Sequence, residues 1–427
     1  MYTTLKLVLI IAAFLLPAAL STSALAEEDP AIRRGRPLSD TRNPASIEGQ
    51  IDDVYGPRQP HVGRRPRPLL QPWYDFKDRL ESRHGLRFGV AYTPLHQGAT
   101  DSLTAEDQAS GAIFEAFGTW DLVCRRGGRT GTLGFRVEDR HGLWSGVVPQ
   151  SLSAEIGAGV PTGIGFSDFD LSLAELWWEQ QIVEDRFSVR LGKMLPFGYH
   201  DFFLFKNPKT DFTNAAFALN PTIAWPQFGL GAVVEVRPRK DIYLVAGIHD
   251  ANGDPTRFGA DTFFEDNEYF TIGEIGWDPG FLSKGKKNPT APDFHVTAWH
   301  ADARTKAGRP EGWGVSVTGQ KAFGQFTPFV RYGYSDGGAA LLQQLVMAGV
   351  GWRGAFCYEQ DTIGLAAGWG KPSSRGADDQ FTSELYYRMQ FVRQLALTFT
   401  AQVISNPSMN PTTSVIGVFG IRARLDF

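Results

Sequence analysis

Residues 417–427 read GVFGIRARLDF, and their pattern decides the fold. Phe419, Ile421, Ala423, Leu425 and Phe427 alternate with Gly420, Arg422, Arg424 and Asp426. A period of two is that of a β-strand, whose successive side chains point to opposite faces. One face here is apolar and the other charged, and the strand runs to a terminal aromatic residue. The same alternation recurs upstream, and sixteen strands can be read between Leu86 and Phe427.

The connections between these strands set the architecture. Tight links at 184–186 (EDR), 238–241 (PRKD), 323–325 (FGQ) and 391–394 (FVRQ) alternate with long ones at 141–170, 194–229, 250–268 and 405–414. Short periplasmic turns opposite long extracellular loops are the pattern of an outer-membrane barrel. The connection 278–293 departs from it, being long where parity expects a short one. The expectation is an all-β transmembrane barrel of about 16 antiparallel strands over residues 85–427. An even count puts both barrel ends on the periplasmic side, so the last strand closes on the first and offers its aromatic end to the barrel-insertion machinery.

Composition agrees. Among 427 residues there are 47 glycines, 31 phenylalanines and 11 tryptophans. Glycine weakens an ordinary core, but in a barrel it lets strands curve while aromatics form girdles against outer-membrane lipid. Two cysteines, Cys124 and Cys357, make no disulfide framework, and they fall on distant strands where they are expected to stay unbonded. A formal net charge of −4 describes no nucleic-acid binder.

The first 84 residues read differently. Lys6, an apolar run from Leu7 to Leu20 and the small-residue stretch closing at Ala26 make residues 1–26 a secretory signal peptide. Residues 27–71 scatter prolines among charges, with Tyr55 their only aromatic, and read as a disordered, solvated periplasmic segment. In residues 72–84, Trp73, Phe76 and Leu80 take helical spacing, giving a short amphipathic helix expected against the barrel's inner rim.

Five stretches carry a family resemblance. They are SVRLGKM (188–194), ALNPTIAWPQFGLG (218–231), AGIHDANGD (246–254), ELYYRMQ (384–390) and QVISNPSMNP (402–411), followed by the final strand. In this order they resemble the carbohydrate-selective porins of the OprB family, over residues 72–427. The resemblance implies a passive outer-membrane channel that admits sugars down their gradient; no cofactor or metal is expected, and the sequence leaves both a monomer and a homotrimer open.

Alternation supplies candidates for the lumen. Charges on a lipid face cost about 2–4 kcal/mol at mid-membrane, so charged positions are placed inward. Strand three contributes Arg136, Glu138 and Arg140, and strand four Glu175, Trp177 and Glu179. Arg190 comes from strand five, Glu235 from strand six, Arg422 from strand sixteen, and Glu384, Tyr386, Arg388 and Gln390 from strand fourteen. Sixteen strands enclose a wide lumen that must be narrowed to be selective, and the longest connection, 194–229, is the natural constriction. It carries Lys206, Lys209, Asp211, Asn214 and Asn220 among Phe202, Phe203, Phe205, Phe212 and Phe217. Sugar hydroxyls need paired donors and acceptors while sugar C–H faces pack on rings, so this mixture suits both solute contact and folding of the loop on itself.

Inward arginines serve phosphate as well as hydroxyls, so a general or anion-preferring diffusion porin is the alternative. A barrel hydrolase would need a serine, a histidine and an orienting group on adjacent strands. His295, His300 and Ser316 lie on strands nine and ten, but the odd spacing of the histidines sends them to opposite faces. The stretch 250–254 (DANGD) lacks the later glutamate of a calcium loop, and 157–165 (GAGVPTGIG) lacks the lysine of a phosphate loop.

Overall fold

A computed structural model describes residues 43–56, 58, 61, 70–124, 129–183, 186–279 and 293–427. The signal peptide, most of 27–71 and most of the 278–293 connection lie outside the described residues. The strands are β1 (Leu86–Ala99), β2 (Gln108–Val123), β3 (Gly131–Gly142), β4 (Phe169–Val183), β5 (Phe187–Met194), β6 (Gly229–Arg239), β7 (Ile242–Asp250) and β8 (Tyr269–Trp277). They continue as β9 (Phe294–Ala301), β10 (Gly312–Gln320), β11 (Phe326–Asp336), β12 (Leu342–Arg353), β13 (Thr362–Pro372), β14 (Gln380–Val392), β15 (Leu395–Ser405) and β16 (Val415–Asp426). Each pairs antiparallel with its chain neighbours, and β16 returns to β1, so the sheet is a closed barrel of sixteen strands as the alternation predicts.

At the seam Tyr92 sits opposite Leu425 and Ala99 opposite Val418. The last residue takes part: Phe427 and Val90 exchange backbone N–H···O bonds of 3.0 and 3.2 Å. Closure leaves no unpaired edge, which is how a sheet survives in lipid. Large apolar side chains such as Leu171, Leu191, Leu365, Leu385, Phe399 and Phe419 stand exposed on the outer wall. On β16, Arg422, Arg424 and Asp426 point inward and are buried. One end of the barrel carries the two-residue connections 240–241 and 393–394 and is called here the short-turn end.

Residues 43–56 correct the sequence reading, which placed them in a solvated segment. They contain helix α1 (Ile47–Tyr55), whose Ser46 side chain caps the N-terminus by accepting the Gly49 N–H at 3.0 Å. Ile47, Ile51 and Val54 recur at helical spacing and are buried inside the barrel, in a cluster that includes Ala91, Phe117 and Trp177 of the wall. The surrounding prolines and charges dominate the composition of 27–71, whereas this local apolar stripe, with about 1.5–3 kcal/mol for each fully buried aliphatic side chain, orders the helix.

Helix α2 (Gln71–His84) ends at Gly85, whose φ of 71° gives a left-handed cap where a Cβ would be strained, and β1 starts at the next residue. The helix straddles the rim instead of lying inside it. Trp73 meets the outward ring of Phe88 edge-on at 5.6 Å, while the Lys77 ammonium lies 4.3 Å from the centre of the Tyr55 ring at the end of α1. The reason is that the inner rim is already occupied by α1. Cys124 and Cys357 are exposed and free.

Candidate functional site: the barrel lumen

The connection 195–228, with short helix α4 (Ala215–Ala218), folds into the barrel and is bonded to the opposite wall; α3 (Leu152–Ile156) belongs to the neighbouring connection after β3. Glu384 on β14 accepts N–H bonds from Thr213 (2.8 Å) and Asn214 (2.9 Å) and the Thr213 hydroxyl (2.9 Å). Arg422 on β16 donates to the carbonyls of Pro208 (2.6 Å) and Asp211 (2.9 Å). Lys209 reaches Glu115 on β2 at 2.6 Å, and Arg331 on β11 pairs with Asp201 at 2.9 Å.

Rings complete the attachment. Phe203, Phe205, Phe212 and Phe217 cluster with Phe329 and Tyr386 of the wall, with Phe203–Phe329 and Phe212–Tyr386 centroids each 4.9 Å apart. Gly351 on β12 makes this possible, because a Cβ there would stand 2.0 Å from the Phe205 ring. The aromatic residues of the loop thus fold it onto the wall. Tyr386 also donates to Asp211 at 3.3 Å.

On the other side of the lumen charges alternate. Arg136 meets Glu175 at 3.2 Å and Glu138 at 3.6 Å, and Arg424 meets Glu115 at 3.1 Å. Tyr199 of the loop donates to Glu175 at 2.7 Å. Arg190 lies between the rings of Trp177 and Tyr199, 4.2 and 4.1 Å from their centres, and pairs with Glu179. Arg140 pairs with Glu138 and lies over Phe169 at 4.9 Å.

The thirteen sequence candidates therefore fall into separate groups. Arg136, Glu138, Arg140, Glu175, Trp177, Arg190 and Lys209 share the charged wall and its bond to the loop. Asp211, Glu384 and Arg422 sit where the loop is fastened. Lys206 lies over the Phe197 ring at 4.2 Å and donates to the Asp201 carbonyl at 3.1 Å. Glu235 pairs with Arg237 at 3.6 Å, and Arg388 near the short-turn end meets Asp53 at 3.5 Å. His295 faces inward and meets Asp201 at 3.3 Å, whereas His300 faces outward to Glu311 at 2.9 Å.

Several lumen residues were missed. Glu115 and Arg424 occupy inward positions that the same alternation would have supplied. Glu48 and Gln50 come from α1, whose signal was a Ser46 cap followed by Ile47, Ile51 and Val54. Glu48 meets Arg190 at 3.2 Å. With its amide oriented to suit its neighbours, Gln50 donates to Glu115 (3.2 Å) and accepts from Arg136 (3.0 Å). Under α1 and the loop, Arg136, Glu175 and Arg190 are each only 2% exposed, so they are covered by protein and not by a water column.

Comparison with known proteins gives a consistent picture. Residues 120–324 and 313–427 match the sequence profile of the carbohydrate-selective porin, OprB family. The high-pH structure of Pseudomonas putida OprB has the same fold, with a TM-score of 0.64 at 15% identity over 83% of this chain and 97% of that one. The low-pH structure of the same protein gives 0.48 at 14% identity, over 84% and 97%. A triple-mutant porin from Rhodopseudomonas blastica gives 0.43 at 12% identity, over 80% and 100%. Among curated proteins none matches the chain.

Proposed function

The chain belongs to the carbohydrate-selective porin family, OprB, and we propose which of its residues meet the solute. It is a bacterial outer-membrane barrel for the diffusion of carbohydrates, a transport channel by family and fold. Our reading is that sugars pass between the loop 195–228 and the wall formed by β2 to β5 and β16. The observation that carries it is the Arg190 guanidinium held between Trp177 and Tyr199, beside the alternating Arg136, Glu175 and Glu138. A planar fork donates to two hydroxyls, carboxylates accept from others, and ring edges take the C–H faces. Glu384, Arg422 and Asp211 hold the loop in this reading, and the short-turn end lies in the periplasm.

Block of open single channels by neutral sugars, compared with phosphate, tests it. Arg190→Ala is expected to weaken sugar block while raising ionic conductance, and Arg190→Lys to keep the anion preference but lose much of the block. Anion selectivity without sugar block would favour the anion-preferring alternative. The C-terminal strand is proposed as the signal for insertion: removal of Phe427 should lower the amount of heat-modifiable folded barrel while leaving export intact. The mass of the detergent-extracted barrel decides between monomer and homotrimer.

A further inference from the structure

Inside a water-filled barrel the inward positions should be polar, yet Ala91 on β1 and Phe117 on β2 put apolar side chains on the inner wall. Helix α1 packs on these strands and joins them in one buried cluster through Ile47, Ile51 and Val54. The fit extends to Gly89 on β1, where a Cβ would stand 2.9 Å from the Phe117 ring and 3.4 Å from Val54. The polar face of the same helix matches the charged wall: Glu48 to Arg190 (3.2 Å), Asp52 to Arg87 (3.0 Å) and Asp53 to Arg388 (3.5 Å). At its tip Asn43 donates to the Gly198 carbonyl (2.6 Å) and Asn207 donates to the Pro44 carbonyl (2.8 Å), so the segment abuts the constriction loop. At the rim Arg58 pairs with Asp426 and donates to the Arg393 carbonyl at 2.9 Å. The segment also lies outside the residues that match the family profile.

We propose that residues 43–56, with Arg58, form a plug that closes the barrel from the short-turn end at rest, and that solute passes only when the plug has left. The inference rests on the channel reading above. A plug must be removable, and this one is suited to removal. It has nine helical residues, too few for an isolated helix to persist in water, so on leaving the wall it would lose its helix as well as its contacts. Docking and ordering are therefore one two-state event. The groups α1 occupies, Arg190 and Arg136, are those proposed for solute, so the plug stands where solute must go.

Single-channel recording in planar bilayers tests this, with heat-modifiable migration on gels to verify folded barrel. The full mature chain is compared with a variant lacking residues 43–56 and with the full-length double variant Ile47→Asp/Ile51→Asp, which keeps the chain but disfavours docking of its apolar stripe. Both variants are expected to raise mean conductance by about tenfold or more, as when a mostly closed population becomes mostly open. In a Cys124→Ser/Cys357→Ser background, Gln50→Cys should react slowly with a membrane-impermeant thiol reagent, and quickly when the two aspartates are added. Equal conductance of the full chain and both variants overturns the plug while leaving the channel reading standing. Absence of conductance from every folded form overturns both.

Discussion

Of the pieces of chain that fill this barrel, the loop 195–228 and helix α1 are held in opposite ways. The loop 195–228 is tethered to strands at both ends, bonded to β2, β11, β14 and β16, and seated on a cluster of aromatic rings. Helix α1 enters from one end and is held by three aliphatic side chains and a set of ion pairs. The loop has many contacts that fail only together, so it acts as a fixed constriction. The helix is short and held by side-chain packing, ion pairs and a few hydrogen bonds, so its contacts can be lost in one step.

The largest expected effect belongs to the loop. Phe212 is fully buried among Phe205, Phe217, Phe329 and Tyr386, and Phe212→Ala should cost about 3–5 kcal/mol, read as a lower temperature of heat-modified migration. If it instead changes only the opening frequency, the loop and the helix are not distinct in the way described. Ser46→Ala removes the cap of α1 at about 1 kcal/mol, which should raise the frequency of opening about fivefold and leave the heat-modification temperature unchanged. A loss of barrel stability from this change would make α1 part of the wall. Asp52→Asn breaks a partly exposed pair with Arg87, expected at about 0.2–1 kcal/mol, and its effect on opening should shrink further in high salt.

The smallest effect concerns pH. Burial against Tyr55 and Phe88 pushes the Lys77 ammonium down to about 8. Undocked α2 would hold that proton up to a lysine's ordinary range, so docking should strengthen as pH rises from about 8 towards 10.5 and stay flat below. Limited proteolysis of the 71–84 helix across that range measures it, and Lys77→Met should abolish the dependence.

The barrel was legible because a period of two is written locally in each strand. In β16 it placed Phe419 outside and Arg422 inside with no knowledge of any partner. Which inward charges would fasten a loop was not legible, since Glu384 binds Thr213 and Asn214 across 171 and 170 positions of sequence. Helix α1 was hidden for another reason: judged by composition, 27–71 is a polar segment, and only a ten-residue window starting at Ser46 shows the apolar stripe. The place of α2 could not be read without α1, which takes the space that its apolar face was expected to occupy.

The seam between β1 and β16 has a consequence for assembly in time. Val90 is bonded to Phe427, so the closing hydrogen bonds join the strands farthest apart in sequence, and closure cannot begin until β16 has been made. Asp52 and Arg58 touch both sides of that seam, Asp52 through Arg87 of β1 and Arg58 through Asp426 of β16. The plug segment can therefore dock fully only after the first and last strands have paired.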